Sequence, residues 1–211
     1  MITAGPTYEK IDPVRFIGNF SSGKMGFALA EECAARGAEV TLIAGPVALK
    51  TSSPATRRID VMSALEMHDA AISEFATSDV AILCAAVADY TVESPVDHKI
   101  KREKDEIPVI RLKKNPDIAK AIGEMKKPGQ VTVGFALETD NEVENARGKC
   151  ERKNLDFIVL NSLQNKDAGF QVDTNVITII TSDGKALEYP CKPKTEVAKD
   201  IVDVLVKDYI K

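Results

Sequence analysis

The chain has 211 residues and a formal net charge of −4. That length suits one generous α/β domain or two small ones, and an acidic balance spread along the chain provides no basic field for nucleic acid. No apolar run reaches the ~18–20 residues of a membrane span and no signal-peptide pattern is read, so a cytoplasmic protein without membrane contact is expected. In chain order, Met1–Ala4 reads as a short buried strand ending in Gly5-Pro6-Thr7. Because that pattern begins at Met1 itself, the chain reads as a piece of a longer one. The polar stretch Asp12–Gly26, DPVRFIGNFSSGKMG, leads into an alanine-rich helix at about Lys24–Arg36, stopped by Gly37. Glu39–Ala44 (EVTLIA) is a second strand, broken by Gly45-Pro46. A polar loop through Pro54 leads to a strand at Arg58–Val61. Ser63-Ala64-Leu65-Glu66 has the form of a capping box and opens a helix to about Thr77. Val80–Ala86 (VAILCAA) is apolar throughout, as a strand covered on both faces must be.

This β-α-β-α-β alternation predicts an α/β fold, a Rossmann-like three-layer sandwich with a mostly parallel central sheet. Such sheets bind ligands at the carboxyl ends of strands, near a topological switch point. Gly5, the 12–26 stretch and Ala85–Asp89 would meet there. Residues 91–108 are dense in charge and poor in apolar residues, which fits a solvated loop or hairpin tip. They equally fit a mobile lid, in which Lys99, Lys101 and Arg102 close over a polyphosphate. Val109–Leu112 can be a strand, and Asn115-Pro116-Asp117-Ile118 opens a helix with proline at an early helical position. Val131–Ala136 is a buried strand. A helix at about Asn141–Lys153 puts Lys149 and Lys153 on one face, where the helix dipole also favours them. Phe157–Leu160 is a strand followed by Asn161. Asn175–Ile180 and Ala186–Tyr189 flank Ser182-Asp183-Gly184 as a hairpin. Thr195 caps a last helix to about Tyr209. No repeat or linker divides the chain.

The chemistry concentrates in the Asp12–Gly26 stretch, which holds Arg15, Asn19, two serines, Lys24 and glycines 18, 23 and 26. Polar residues and glycines ahead of a helix leave backbone N–H groups at its positive end, where anions bind. The stretch therefore reads as a phosphate loop; the alternative is a surface loop capped by serine. Gly18–Met25 nearly fits the P-loop pattern, but Met25 stands where a Mg²⁺-binding hydroxyl belongs, and the preceding strand ends too early. Asp89 follows the apolar strand among small residues (Ala85, Ala86, Ala88), so its carboxylate is a cation or ribose ligand, or a cap. Cys33, Cys84, Cys150 and Cys191 form no C-x-x-C and read as reduced, mostly buried thiols. His68 and His98 make no ligand cluster, so no protein-built metal site is expected.

The segments ITAGPT, IDPVRFIGNFSSGKMG, CAAVADY, KIKR, KNPDI, GFALET and KNLD occur in this order. With them the chain resembles, nearly end to end, the phosphopantothenoylcysteine synthetase family, the second activity of the bacterial bifunctional coenzyme A biosynthesis protein. The resemblance implies a phosphopantothenate–cysteine ligase. CTP, with Mg²⁺ or Mn²⁺ carried mainly on its phosphates, would activate 4′-phosphopantothenate as an acyl-cytidylate and release pyrophosphate. The cysteine amine would then attack, giving phosphopantothenoylcysteine and CMP. No protein nucleophile is needed, in keeping with the lack of a Ser/His/Asp or Cys/His constellation. The resemblance also implies a homodimer and, in a longer chain, an N-terminal flavin-dependent decarboxylase domain, with no flavin on residues 1–211.

Residue by residue, Asn19 resembles the family's essential asparagine. Arg15 resembles the arginine that reaches the phosphopantothenate of the neighbouring protomer. Ser21, Gly23 and Gly26 would form the phosphate loop, with Gly5 beside it. Cys84, Ala85 and Ala86 would line the pocket, and Asp89 resembles the motif acid. Pro116, Asp117, Ile118, Ala119 and Phe135 would frame the nucleotide, Asn161 would add a contact, and Lys149 and Lys153 would meet the triphosphate. Lys99 resembles the first lysine of a K-x-K-K lid motif, from which Arg102 departs at the fourth position. Three other readings compete. A nicotinamide-dependent reductase lacks its G-x-G-x-x-G turn; the others are a non-catalytic nucleotide-binding module and the same ligase using ATP.

Overall fold

The computed structural model describes residues 1–101, 109–138, 140–162 and 172–210. The first half of the chain runs β1 (Ile2–Ala4), β2 (Tyr8–Lys10), β3 (Phe16–Gly18), α1 (Lys24–Ala35), β4 (Val40–Ala44), β5 (Thr56–Asp60), α2 (Ala64–Phe75), β6 (Val80–Leu83) and β7 (Tyr90–Val92). It continues with β8 (Leu112–Lys114), α3 (Ile118–Met125), β9 (Val131–Glu138), α4 (Glu142–Arg152), β10 (Phe157–Ser162), β11 (Thr174–Thr181), β12 (Ala186–Pro193) and α5 (Lys194–Asp208). The apolar runs pair into one eight-stranded sheet in the order β12-β11-β10-β9-β6-β1-β4-β5. Pairing is parallel from β10 to β5, and β11 and β12 add an antiparallel edge. The chain leaves β1 toward β4 and β5, then returns to β6 on the other side of β1. The switch point therefore lies between β1 and β6.

Alternation along the strands builds two cores. Ile82, Val133, Phe157 and Val159 face α1 and α5, whereas Leu83, Ala136, Ile158 and Leu160 face α2, α3 and α4. This is the expected three-layer sandwich. No helix among the described residues is long and apolar enough to cross a membrane.

Several boundaries differ from the sequence reading, each for a local reason. The 12–26 stretch is not all loop, because β2 and β3 form an antiparallel ribbon, closed by Asp12 and stacked through Tyr8 and Phe16 at 3.8 Å. A second ribbon pairs β7 with β8, so the charge-rich 91–108 stretch begins in a strand, and its partner starts at Leu112, three residues beyond the start of the expected Val109–Leu112 strand. The strand expected at Arg58–Val61 occupies Thr56–Asp60, in register with β4. The strand expected to reach Ala86 ends at Leu83, and Ala86 meets Pro6 in an isolated bridge. Pro116 precedes α3 instead of opening it; Asp117 is the cap and accepts from the Lys120 N–H at 3.0 Å. Thr195 does not cap α5, which starts at Lys194 behind Pro193 with no side-chain cap. The capping box holds: Ser63 accepts from the Glu66 N–H at 3.2 Å, and the Glu66 carboxylate returns to the Met62 N–H at 2.8 Å. Cys191 is exposed, unlike the buried Cys150, because the edge strand β12 turns it to solvent.

Gly26 lets α1 close on the end of β1, since a Cβ there would lie 2.5 Å from the Ala4 Cβ. Gly26→Ala is expected to lower stability by about 1–3 kcal/mol through overpacking, despite alanine's better helix propensity. A lower urea midpoint at unchanged slope checks this; an unchanged midpoint would refute the close approach.

Candidate functional site

A cavity of about 680 Å³ opens at the carboxyl ends of β1, β6, β9 and β10, beside the switch point. Strand alternation divides its walls. Cys84, Phe135, Asn161 and Asn175 line the half toward α1 and α5, while Gly134, Ala136 and Ile158 line the half toward α3 and α4.

Helix starts supply much of its electrostatics. Gly23 takes the left-handed conformation (φ 79°) ahead of α1, and no side chain caps the helix. The serine-cap alternative is thereby corrected: Ser21 Oγ instead accepts from the Gly23 N–H at 3.3 Å, which leaves the first turn of α1 open to an anion. Lys24 and Lys194 are the first residues of α1 and α5, and both line the cavity. A cation at a helix N-terminus opposes the dipole, so their placement favours ligand charge over helix stability. Lys194 is buried, and its ammonium donates to the Val172 carbonyl. Burial first, and then the nearby Lys24 charge, push its pKa down. Lys24 pairs with Asp173 at 2.5 Å.

On the opposite wall Lys149 pairs with Glu138 at 2.6 Å and Lys153 with Asp117 at 3.1 Å. Burial opposes ionisation of Asp117, but the Lys120 N–H and the Lys153 ammonium outweigh it and hold the carboxyl below its usual range. An anionic ligand would therefore take over lysines that are already oriented by carboxylates. Asn19 donates from Nδ2 to the Ala86 carbonyl at 2.8 Å, which ties the exit of β3 to the turn after β6. The Ala85 N–H donates to Thr3 Oγ1 at 3.3 Å, and Asp89 stands exposed on the rim. Burial pushes the Cys84 thiol up to about 12, so it stays protonated and is no nucleophile near neutrality.

The structure thus gathers Asn19, Ser21, Gly23, Gly26, Cys84, Ala85, Ala86 and Asp89 with Pro116, Asp117, Ile118, Ala119, Phe135, Lys149, Lys153 and Asn161. Gly5, Arg15 and Lys99 are not in the lining. Gly5 supports the wall from behind: it has φ 78°, a Cβ on it would meet Val47, and its carbonyl accepts from the Ala86 N–H at 2.9 Å. Arg15 is engaged by Asp12 and the Ile100 carbonyl, and Lys99 is exposed beside that contact. Arg102 lies outside the described residues.

Comparison with known proteins matches residues 1–209 to the family described as DNA/pantothenate metabolism flavoprotein C-terminal domain. The chain belongs to that family. It is 48% identical over 210 residues to the coenzyme A biosynthesis bifunctional protein CoaBC of Haemophilus influenzae, covering 100% of this chain and 52% of that protein. It is 55% identical over 201 residues to a protein of an unknown prokaryotic organism named cysteine/cysteine sulfinic acid decarboxylase, covering 95% of this chain and 56% of that one. The chain spans about half the length of the curated relatives it matches. Among solved structures, the C-terminal domain of a CoaBC protein superposes with a TM-score of 0.80 at 41% identity, covering 98% of this chain and 94% of that one.

Sequence reasoning missed Lys194 and Asn175 as site residues. A lysine opening a helix against the dipole was a readable signal for Lys194; Asn175, a polar residue inside an apolar strand, carried a weaker one. Lys194→Met and Lys149→Met are each expected to weaken inorganic triphosphate binding about tenfold in calorimetry. Unchanged affinity in both would rule out the cavity as the anion site.

Proposed function

We propose that this chain is the phosphopantothenate–cysteine ligase portion of a coenzyme A biosynthesis protein. The observation that carries the reading is the convergence of two uncapped helix starts and five lysines (Lys24, Lys114, Lys149, Lys153 and Lys194) on one cavity that also holds Asn19 and Asp89. A carboxylate is a poor electrophile and must first gain a leaving group. Bringing it to a nucleoside triphosphate crowds negative charge, which amides and lysines offset. The reading takes CTP as the nucleotide and the cytoplasm as the setting. ATP is the alternative, because backbone edges around Pro116–Ala119 choose the base.

In the first step a carboxylate oxygen of phosphopantothenate attacks the α-phosphorus and pyrophosphate leaves. Lys149, Lys153, Lys24 and the first turn of α1 would hold the departing charge. In the second step the cysteine amine attacks the acyl carbon, loses a proton, and CMP leaves. Asn19 would orient the acyl-nucleotide from the end of β3, held there by its bond to Ala86. Mg²⁺ or Mn²⁺ would ride mainly on the phosphates and supply charge neutralisation. The exposed Asp89 carboxylate on the cavity rim is a hard oxygen donor of the kind that fits beside it.

The homodimer is also part of the proposal. The two ribbons lie against one another and leave Val14, Phe16, Tyr90 and Leu112 exposed, with Phe20 just beyond β3 at 83% exposure. A second copy is the occupant the reading assigns to this apolar surface. Residues 1–211 would follow a flavin-dependent decarboxylase domain in the full protein.

Pyrophosphate release from 4′-phosphopantothenate, Mg²⁺ and CTP, with ligated product only after cysteine is added, is the expected result. Faster release with ATP would reverse the nucleotide choice. Carbon dioxide release from cysteine or cysteine sulfinate without any pyrophosphate would overturn the reading. Asn19→Asp sets a carboxylate against the Ala86 carbonyl and is expected to slow the cysteine step at least about tenfold. Unchanged turnover in that variant would remove Asn19 from the site. Phe20→Asp is expected to shift sedimentation from dimer to monomer; an unshifted boundary would place the dimer contact elsewhere.

A further inference from the structure

Asp12 is an acid with a fully buried side chain at the closed end of the β2–β3 ribbon. Its Oδ1 accepts from the N–H groups of Val14 and Arg15, both at 2.8 Å. Its Oδ2 accepts from Arg15 Nε at 3.0 Å, from Arg15 Nη2, and from the N–H of Ile100 at 3.1 Å. Arg15 Nη2 also donates to the carbonyl of Ile100 at 2.9 Å. One ion pair therefore takes both backbone polar groups of a residue more than eighty positions away. Nearby, the Val96 N–H donates to the Ile11 carbonyl at 3.1 Å and fastens the same two segments again. Ile100 is flanked by Lys99 and Lys101.

We propose that Asp12, working through Arg15, is a positioning residue for Lys99: the pair grips the Ile100 peptide by its N–H and C=O and so fixes where the lid lysine leaves the protein surface. The proposal rests on the ligase reading, with Lys99 as the first lysine of the lid motif that would close over the nucleotide phosphates. A lysine on an otherwise solvated segment loses much backbone and side-chain freedom when it closes on a phosphate. Gripping the neighbouring peptide beforehand removes part of that cost and sets the approach. The grip comes from charged groups, so its hydrogen bonds are stronger than a neutral strand pairing would be. The Arg15 guanidinium holds the Asp12 carboxyl well below the usual carboxylate range, which keeps the pair ionised at any pH near neutrality.

The test is a double-mutant cycle on pyrophosphate release without cysteine, using Asp12→Asn, Lys99→Gln and the double variant. Asp12→Asn is expected to slow release about tenfold or more, and the double variant to be within about twofold of Lys99→Gln alone. Independent, multiplying losses would overturn the proposal. Amide hydrogen exchange is the second readout: Ile100 is expected to exchange faster in Asp12→Asn while Ile82 in β6 is unchanged. Unchanged protection at Ile100 would equally overturn it. If Asp12→Asn does not fold, Arg15→Lys replaces it, because an ammonium cannot serve Asp12 and the Ile100 carbonyl in the same geometry; the same outcomes decide. If the wild type releases no pyrophosphate with CTP or ATP, the ligase reading fails, and exchange at Ile100 alone decides whether the grip exists.

Discussion

The arrangement of the cavity depends on β1 lying between β4 and β6 as parallel neighbours. The crossovers that follow β1 and β6 go to opposite sides, so none covers the gap over their carboxyl ends, where the two following segments run together with the Ala86 N–H on the Gly5 carbonyl at 2.9 Å. Gly26 then lets α1 approach Ala4 closely, so the first turn of that helix opens at the gap instead of beside it. A bulkier residue would move a helix dipole and Lys24 together.

The second constraint is charge. The chain is acidic overall, yet its cavity collects lysines from α1, α4 and α5. Left to themselves these ammonium groups would repel one another and resist partial burial. Carboxylates pair with three of them: Asp173 with Lys24, Glu138 with Lys149 and Asp117 with Lys153. Those pairs orient the lysines without a ligand, and an anionic ligand would take the place of the carboxylates. Lys194 is the exception in kind, anchored on a backbone carbonyl at a helix start and pushed toward lower pKa by burial.

The two small ribbons connect this site to its surroundings. The β2–β3 ribbon carries Asn19 into the cavity from one end and Asp12 out toward Ile100 from the other. The β7–β8 ribbon starts at the cavity rim with Tyr90 and ends there with Lys114. Between them the ribbons join an apolar surface, the base of a lysine-bearing segment and the reacting end of the cavity.

Much of this was readable along the chain. The runs VTLIA, VAIL and VTVGFA announced central strands because strands covered on both faces are apolar throughout. Ser63 and Glu66 announced the start of α2, and the glycine-serine stretch announced a glycine-rich lead-in to α1. These signals are local, since each needs only neighbours within a few residues. The β2–β3 ribbon was not announced, because three-residue strands show no period, and the β7–β8 ribbon was announced only as a hairpin tip over residues 91–108 beside a strand at Val109–Leu112. The boundaries at Pro116 and Thr195 shifted by a residue or two because several polar residues there could serve as cap and tertiary position chose among them. The place of Lys194 and Asn175 in the cavity, and the grip of Asp12 on Ile100, came only with the fold. Strand order and register bring such residues together, and both are set by burying two apolar faces at once, a condition that no short stretch of chain can express.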